Sequence, residues 1–499
     1  MASRILKVES SQTGPLIRLV STDSLDLHHT PYVVLTHCWG LHPIECKTMV
    51  DKVKGYYENI SVNLLPKTFR EAVEITLALE IQYIWIDSLC IVQDDEKDWQ
   101  QESTKMASIW RGATLTLSAS SAENSTQGCD ISDLLAPAIR FSTVPMIPGQ
   151  KEAFFALRPG SINHIYHPSR KTLSNAPVRS RAWIFQEEIL SRRILHATNS
   201  QFVWQCATII ESEDAIVHTD DTVVDAGGYW TLPTSYASGF MFDKKLRFFQ
   251  IEKRWWKWVD DYSERNLKFD TDQYAAFVGV TQLHAEFTGD EPVLGMWKKN
   301  LHIHLGWFVG SGKRPWKSLE KLRQPTWTWM SFPHGSAVPL NITNIRSEEM
   351  EKYASRQPFE MSYEAKVMGV EVEWTGRPLV SAPCLGLIHI HGWLDHMELP
   401  WARGEGNTWL DPDFRNRGFP LPREFYGSFN LFALYAYEKE STLWNQPPSL
   451  YVIYLVLEKI AENKSEYRRI GVAERVLRLY PGVTVESCLT GTLQTITLV

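Results

Sequence analysis

Two polar clusters interrupt apolar runs in this chain, and each holds residue types that do acid–base or electrostatic chemistry. The first is YIWIDSLCIVQDDEKDWQQE, residues 83–102, where Asp87, Cys90, Gln93, Asp94 and Asp95 follow a buried-looking run. The second is SRAWIFQEEIL, residues 180–190, which gathers Arg181, Trp183, Gln186 and Glu187. Carboxylates beside such runs can hold ligand hydroxyls or a developing positive charge, and an arginine can grip a phosphate with two parallel N–H donors. For each group a plainer role stands beside the chemical one. Asp87 either caps loop backbone or points at a ligand, and Asp94 and Asp95 read as helix caps. Cys90 could be a nucleophile with His37, but nothing local lowers its pKa, and a small buried loop residue is the simpler reading. Glu187, read as lying on the first turn of a helix, either caps the dipole or faces a cleft. Arg181 either pairs with it or holds an anion.

The surrounding pattern says which elements must position these groups. YVVLTHCWG, ending at Gly40, reads as a central strand with Thr36 and His37 at its carboxyl end. LPKTFREAVEITLALEI follows as a helix begun at Pro66, with Phe69, Ala72, Val73, Ile75, Thr76 and Leu79 on one stripe. QYIWIDSLCIVQ is a second strand, with Ile84 and Ile86 on one side and Trp85 and Asp87 on the other. DDEKDWQQESTKMASIWRGA is a helix with an acidic start, and TLTLSASSA a third strand. Alternating strands and helices predict a parallel sheet with helices packed on it, and strand-to-helix turns of such sheets are where ligands sit. Residues 123–176 read as an irregular excursion with a strand near AFFALRPG, and RILHAT and QFVWQC as paired closing strands.

The remainder divides into an acidic linker, a helical region and a β-like region, which gives domains at 1–210, 211–324 and 325–499. KKLRFFQIEKRWWKWVDDYSERNL, DQYAAFVGVTQLHAEF and LGMWKKNLHIHLGWFV read as helices, and PTWTWMSF, LGLIHIHGWL, YVIYLVLEKI and YRRIGVAERVLRLY as strands. Twenty tryptophans, many clustered (Trp255, Trp256 and Trp258; Trp327 and Trp329), read first as core packing, with a stacking surface for sugars or bases as the alternative.

Bulk properties exclude several classes. At 499 residues the chain exceeds one ordinary core, and 44% hydrophobic with 22% charged residues is a globular composition. A net charge of −7 argues against nucleic-acid and anionic-membrane partners. Seven scattered cysteines without a C-x-x-C, no apolar leader and no spanning run predict a cytoplasmic protein with free thiols and no membrane span. Walker, G-x-G-x-x-G, H-E-x-x-H and G-x-S-x-G motifs are missing. The H-x-H pairs His302/His304 and His389/His391 have no carboxylate or cysteine cluster beside them in sequence, so no metal site is expected.

Taken together, YVVLTHCWG, the block from LPKTFREAVEI to TLTLSAS with its D-S-L-C-I-x-Q-D core, and SRAWIFQEEILSRRILH resemble the fungal heterokaryon-incompatibility (HET) domain over residues 30–200. WVDDYSERNL, LGMWKKNLHIHLGW and PTWTWMSF resemble blocks of the C-terminal half of long HET proteins, with Thr326 and Thr328 replacing the usual serines. The resemblance implies a non-self-recognition protein whose activation leads to cell death. The HET domain is in turn distantly similar to the TIR domain. That implies a flavodoxin-like parallel sheet with flanking helices and, as in some TIR domains, cleavage of NAD by a catalytic Glu. VVLTHCWG is similar to the TIR opening strand. AWIFQEEI is similar to the TIR W-C-x-x-E-L helix, which puts Glu187 at the catalytic position. The long segment 123–176 departs from the TIR layout. On this resemblance Trp39, Asp87, Gln93, Arg181 and Trp183 would line the cleft, NAD would be the substrate, and no cofactor is required. Two alternatives stay open: a non-enzymatic module acting by self-association or through another incompatibility protein, and a repurposed small-molecule enzyme. No oligomerisation domain or repeat array is read in the chain, so the sensor is expected in its C-terminal half or in another protein.

Overall fold

The computed structural model describes residues 2–129 apart from 13, 24, 27–28 and 41–44; 139–142; 154–157; 173; 176–219 apart from 200, 207–208 and 213–216; 248–309; 325–331; 342–344; 361–399; 406–410; 427–439; and 447–499 apart from 462. The molecule divides into two compact units, Met1–Lys244 and Lys245–Val499.

The first unit is a mixed sheet with flanking helices. Its strands are β1 (Arg4–Glu9), β2 (Leu16–Ser21), β3 (Val33–Thr36), β4 (Tyr83–Trp85), β5 (Leu115–Ala119), a separate pair β6 (Ile139–Ser142) and β7 (Phe154–Leu157), then β8 (Arg193–Ala197), β9 (Phe202–Cys206), β10 (Ile209–Ser212) and β11 (Val217–Thr219). The nine strands of the main sheet lie in the order β11-β10-β9-β8-β5-β3-β4-β1-β2. Its centre, β4-β3-β5-β8, is parallel, and the outer strands pair antiparallel. All of β3 and β5 is buried, as expected of central strands covered on both faces.

The helices follow the apolar stripes. α1 is Val53–Glu58, α2 Lys67–Ala78, α3 Asp87–Cys90, α4 Glu96–Ser103, α5 Met106–Gly112 and α6 Ala182–Leu190. α2 starts behind Pro66 and buries Phe69, Ala72, Val73 and Thr76. Its stripe stops short of the expected Leu79, which caps the helix and is exposed, because Glu80 turns left-handed at φ 59°. Two further expectations are corrected. The strand through Trp85 ends there, and Asp87 opens the short helical turn α3 instead of continuing the pleat. The helix expected from Asp94 to Ala113 is two helices, α4 and α5, broken at Thr104–Lys105. Asp95 caps α4, accepting from the backbone N–H groups of Lys97 at 2.9 Å and Asp98 at 3.3 Å.

The second unit holds helices Phe248–Glu264 and Val278–Thr288 and an eight-stranded sheet that includes Pro383–Leu399, Gly427–Lys439, Ser449–Lys459, Glu466–Arg478 and Thr492–Leu498. LGMWKKNLHIHLGWFV is not one helix. Leu294 (φ 45°) and Gly295 (φ 79°) make a two-residue turn with both φ positive, the geometry that joins a hairpin, and it joins Pro292–Val293 to Met296–Trp297. A short helix, Leu301–His304, and a strand, Trp307–Val309, follow. PTWTWMSF is likewise a turn with a 3₁₀ segment at Trp329–Ser331, held where Thr328 Oγ1 donates to the carbonyl of Leu294 at 2.6 Å. Trp255, Trp256, Trp258, Trp327 and Trp329 are buried core residues. The indole N–H groups of Trp255 and Trp329 both donate to Gly295 O.

Candidate functional site

The four parallel strands run in space as second, first, third and fourth in chain order, so the chain reverses direction between β3 and β5. Ligands in open parallel sheets collect outside the carboxyl ends of the strands at such a reversal. Thr36, His37 and Trp39 follow the end of β3, Asp87 follows β4, and Ser118 and Ser120 lie at the end of β5. α6 brings Glu187 to the same edge.

Trp39 and Asp87 are joined directly: the indole Nε1–H donates to Asp87 Oδ2 at 2.8 Å. The other carboxylate oxygen accepts from Ser88 N at 2.6 Å, so both oxygens of Asp87 are oriented. Gln93 turns back onto the loop, donating to the carbonyls of Asp87 at 3.2 Å and Ile91 at 3.0 Å. It stiffens the turn. Thr48 pins the turn from the other side, with Thr48 N donating to Ser88 O at 2.9 Å, Thr48 Oγ1 to Leu89 O at 2.6 Å, and Gln93 N to Thr48 O at 2.9 Å. Gly40 (φ 82°) lets the chain leave Trp39, and a Cβ there would lie 2.5 Å from Asn124 Cβ, so only glycine fits. Asp94, expected to cap the helix with Asp95, does not: it accepts from Val50 N at 2.9 Å, and the cap is Asp95 alone.

Glu187 lies in the second turn of α6, whose first turn carries no acidic residue, so dipole capping does not explain it. Its side chain is buried. Burial pushes its carboxyl up to about 8. Arg181 and Thr36 oppose that rise, while Asp87 and Glu188 add to it. Thr36 Oγ1 lies close enough to favour the charged carboxylate, yet makes no hydrogen bond of regular geometry and is buried without a partner. Arg181 donates through Nη1 to the carbonyl of His37. Among the described residues Arg181 and Glu187 form no ion pair within 4.0 Å, so the arginine acts on the carboxyl through space. Trp183 packs edge-on against Trp99, centroids 6.4 Å apart. Glu188 pairs instead with Arg179 at 3.5 Å.

His37 is buried edge-on against Phe69 at 5.0 Å, and its Nε2 has no partner. Burial lowers its pKa to about 4, with Asp87 working against the shift and Arg181 with it. Burial raises the thiols of Cys38 to about 11 and Cys90 to about 12, which removes the thiolate a nucleophilic Cys90 would need. The expected residues Trp39, Asp87, Arg181 and Glu187, with Gln93 behind Asp87, thus meet at one sheet edge. Sequence reading missed Thr48, whose role comes from a contact forty residues away, and Thr36 as neighbour of Glu187, although Thr36 already stood at a strand's carboxyl end. Among the described residues no group of three or more His, Cys, Asp or Glu side chains could hold a metal.

Residues 32–187 match the family model described as Heterokaryon incompatibility protein (HET). The chain carries a HET domain. The match opens at Tyr32, whose hydroxyl donates to Ile109 O at 2.8 Å, and closes at Glu187, so it spans β3 to α6 and includes all six expected site residues. β1 and β2, before the HET match, and β8 to β11, after it, complete the sheet. No characterised protein and no solved structure matches the chain. No helix among the described residues is long and apolar enough to cross a membrane.

Proposed function

We propose that the HET domain is the effector of a fungal non-self-recognition protein, that it triggers cell death, and that it does so by cleaving the nicotinamide–ribose bond of NAD. The observation that carries the reading is the buried Glu187 carboxyl set beside Arg181 and Asp87 at the carboxyl edge of a parallel sheet. The 2-1-3-4 order of the parallel strands supports a flavodoxin-like, TIR-related core.

The chemistry follows from charge. Breaking the C1′–N bond releases neutral nicotinamide and leaves oxocarbenium character on the ribose, which water then attacks with loss of a proton. Before substrate binds, Glu187 holds its proton at neutral pH. The cationic pyridinium of NAD favours the carboxylate and drives that proton off, so a negative charge stands beside C1′ as the positive one develops. Trp39, held by Asp87, offers a face for the nicotinamide, with Trp183 as the alternative. Arg181 keeps donors beyond the one given to His37 O and can hold the pyrophosphate.

The test is NAD loss and nicotinamide release by purified protein at high concentration, wild type against Glu187→Ala and Glu187→Gln. Turnover in the wild type alone supports the reading. A wild type with no turnover, including after addition of its activating partner, overturns it in favour of self-association. Because only the ionised carboxyl serves, kcat/KM should rise with pH and level off above about 8.

A further inference from the structure

The acid-bearing turn is held from outside the HET match. Arg4, on β1, donates through Nε to the carbonyl of Cys90 at 2.9 Å and pairs through Nη2 with Asp98 Oδ2 at 2.5 Å. The same Asp98 oxygen accepts from Val92 N at 2.8 Å. One ion pair therefore fixes a carbonyl and an amide two residues apart, on the segment that leaves α3. Both side chains are largely buried, 13% and 14% exposed, so the pair works where water screens it little. Gln93 then ties Ile91 O to Asp87 O, and Asp87 holds the Trp39 indole. A continuous run of bonds joins Arg4 to Trp39.

We infer that Arg4 and Asp98 are positioning residues for the site: they set the turn that aims Asp87, and through Asp87 the ring of Trp39. Neither touches the edge where Glu187 sits. Their effect on catalysis rests on the NAD-cleaving reading, but their effect on Trp39 does not. Without Arg4, Cys90 O and Asp98 each lose a charged partner, and the turn is left to Thr48, Gln93 and the Val92–Asp98 bond, none of which carries a cation. The Asp87–Trp39 bond would then no longer be the single arrangement of the ring.

The experiment uses the full chain labelled with 5-fluorotryptophan, with the Trp39 fluorine signal assigned by its loss in Trp39→Phe. Arg4→Met and Asp98→Ala should move that signal toward its position in Asp87→Ala, while the signals of Trp327 and Trp329 stay in place. Arg4→Lys keeps an ion pair but loses the donor to Cys90, so it should give a smaller shift, and it is mild enough to fold if Arg4→Met does not. A Trp39 signal that does not move in folded Arg4→Lys and Asp98→Ala overturns the inference. In the NAD assay the same variants should lower kcat by about 10- to 100-fold with KM changed less than about threefold, the pattern of misplaced catalytic groups. If the NAD-cleaving reading is wrong, wild type and variants alike leave NAD intact and the fluorine shift persists.

Discussion

Glu187 and His37 are opposite cases of one cause. Burial disfavours charge, so it raises the carboxyl and lowers the imidazole, and both groups rest neutral near pH 7. Their effects on stability have opposite signs. For Glu187, with a folded pKa of about 8 against an ordinary 4.5, the stabilising difference is full below 4.5 and is lost as pH rises to about 8. The loss is on the order of 5 kcal/mol at most. Glu187→Gln, which cannot ionise, should therefore gain in Tm relative to the wild type between pH 5 and pH 9. A Tm difference that stays flat with pH would mean that the carboxyl is not desolvated. For His37, with a folded pKa of about 4 against 6.5, stability is present above 6.5 and is lost as pH falls through 4, to the extent of about 3 kcal/mol. Asp87 and Arg181 are the charged groups that face it. His37→Gln should flatten the fall in urea midpoint between pH 6.5 and 4, and an unchanged slope would assign the acid lability elsewhere.

At the scale of elements, the sequence marks strands and helices well where periodicity is unbroken and poorly where one residue reverses the chain. The strand ending at Thr36, the stripe on α2 as far as Thr76 and the α6 block stand where their apolar patterns put them. The single helix expected after Asp94 fails at Lys105, where no proline or glycine marks the break, and the helix expected at LGMWKK fails because Leu294, a residue that rarely adopts positive φ, shares the turn with Gly295. The site was legible as two polar blocks, each with an acid after an apolar run. The clamp on those blocks was not, because Arg4 meets Asp98 across 94 positions and no local pattern encodes a contact of that separation. Asp95 shows what a local signal does encode: a cap placed one residue before Glu96. Asp95→Ala should cost about 1 kcal/mol of stability, read as a lower urea midpoint with an unchanged slope. A larger loss would mean that α4, which carries Asp98, must be capped for the Asp87 turn to form.

At the scale of the molecule, each compact unit has the parts of an independent folding unit. The first has a nine-stranded sheet with helices packed on it, and the second its own sheet with a core of Leu431, Val452, Val456 and their neighbours. The residues proposed to do chemistry, and those proposed to position them, all lie in Met1–Lys244. The HET match alone does not contain them all, since Arg4 precedes it and the strands from β8 onward follow it. Two pieces of the chain should therefore behave differently. A protein of residues 1–244 should unfold cooperatively and keep both the Trp39 fluorine position and the pH-dependent gain of Glu187→Gln. A protein of residues 32–187 lacks the strand that carries Arg4 and the β8 partner of β5, and exposes two edges of a buried parallel sheet. It should aggregate or unfold without a cooperative transition. A well-folded 32–187 with the Trp39 signal in its native place would show that the HET match suffices to build the site and that β1 is not needed to aim it.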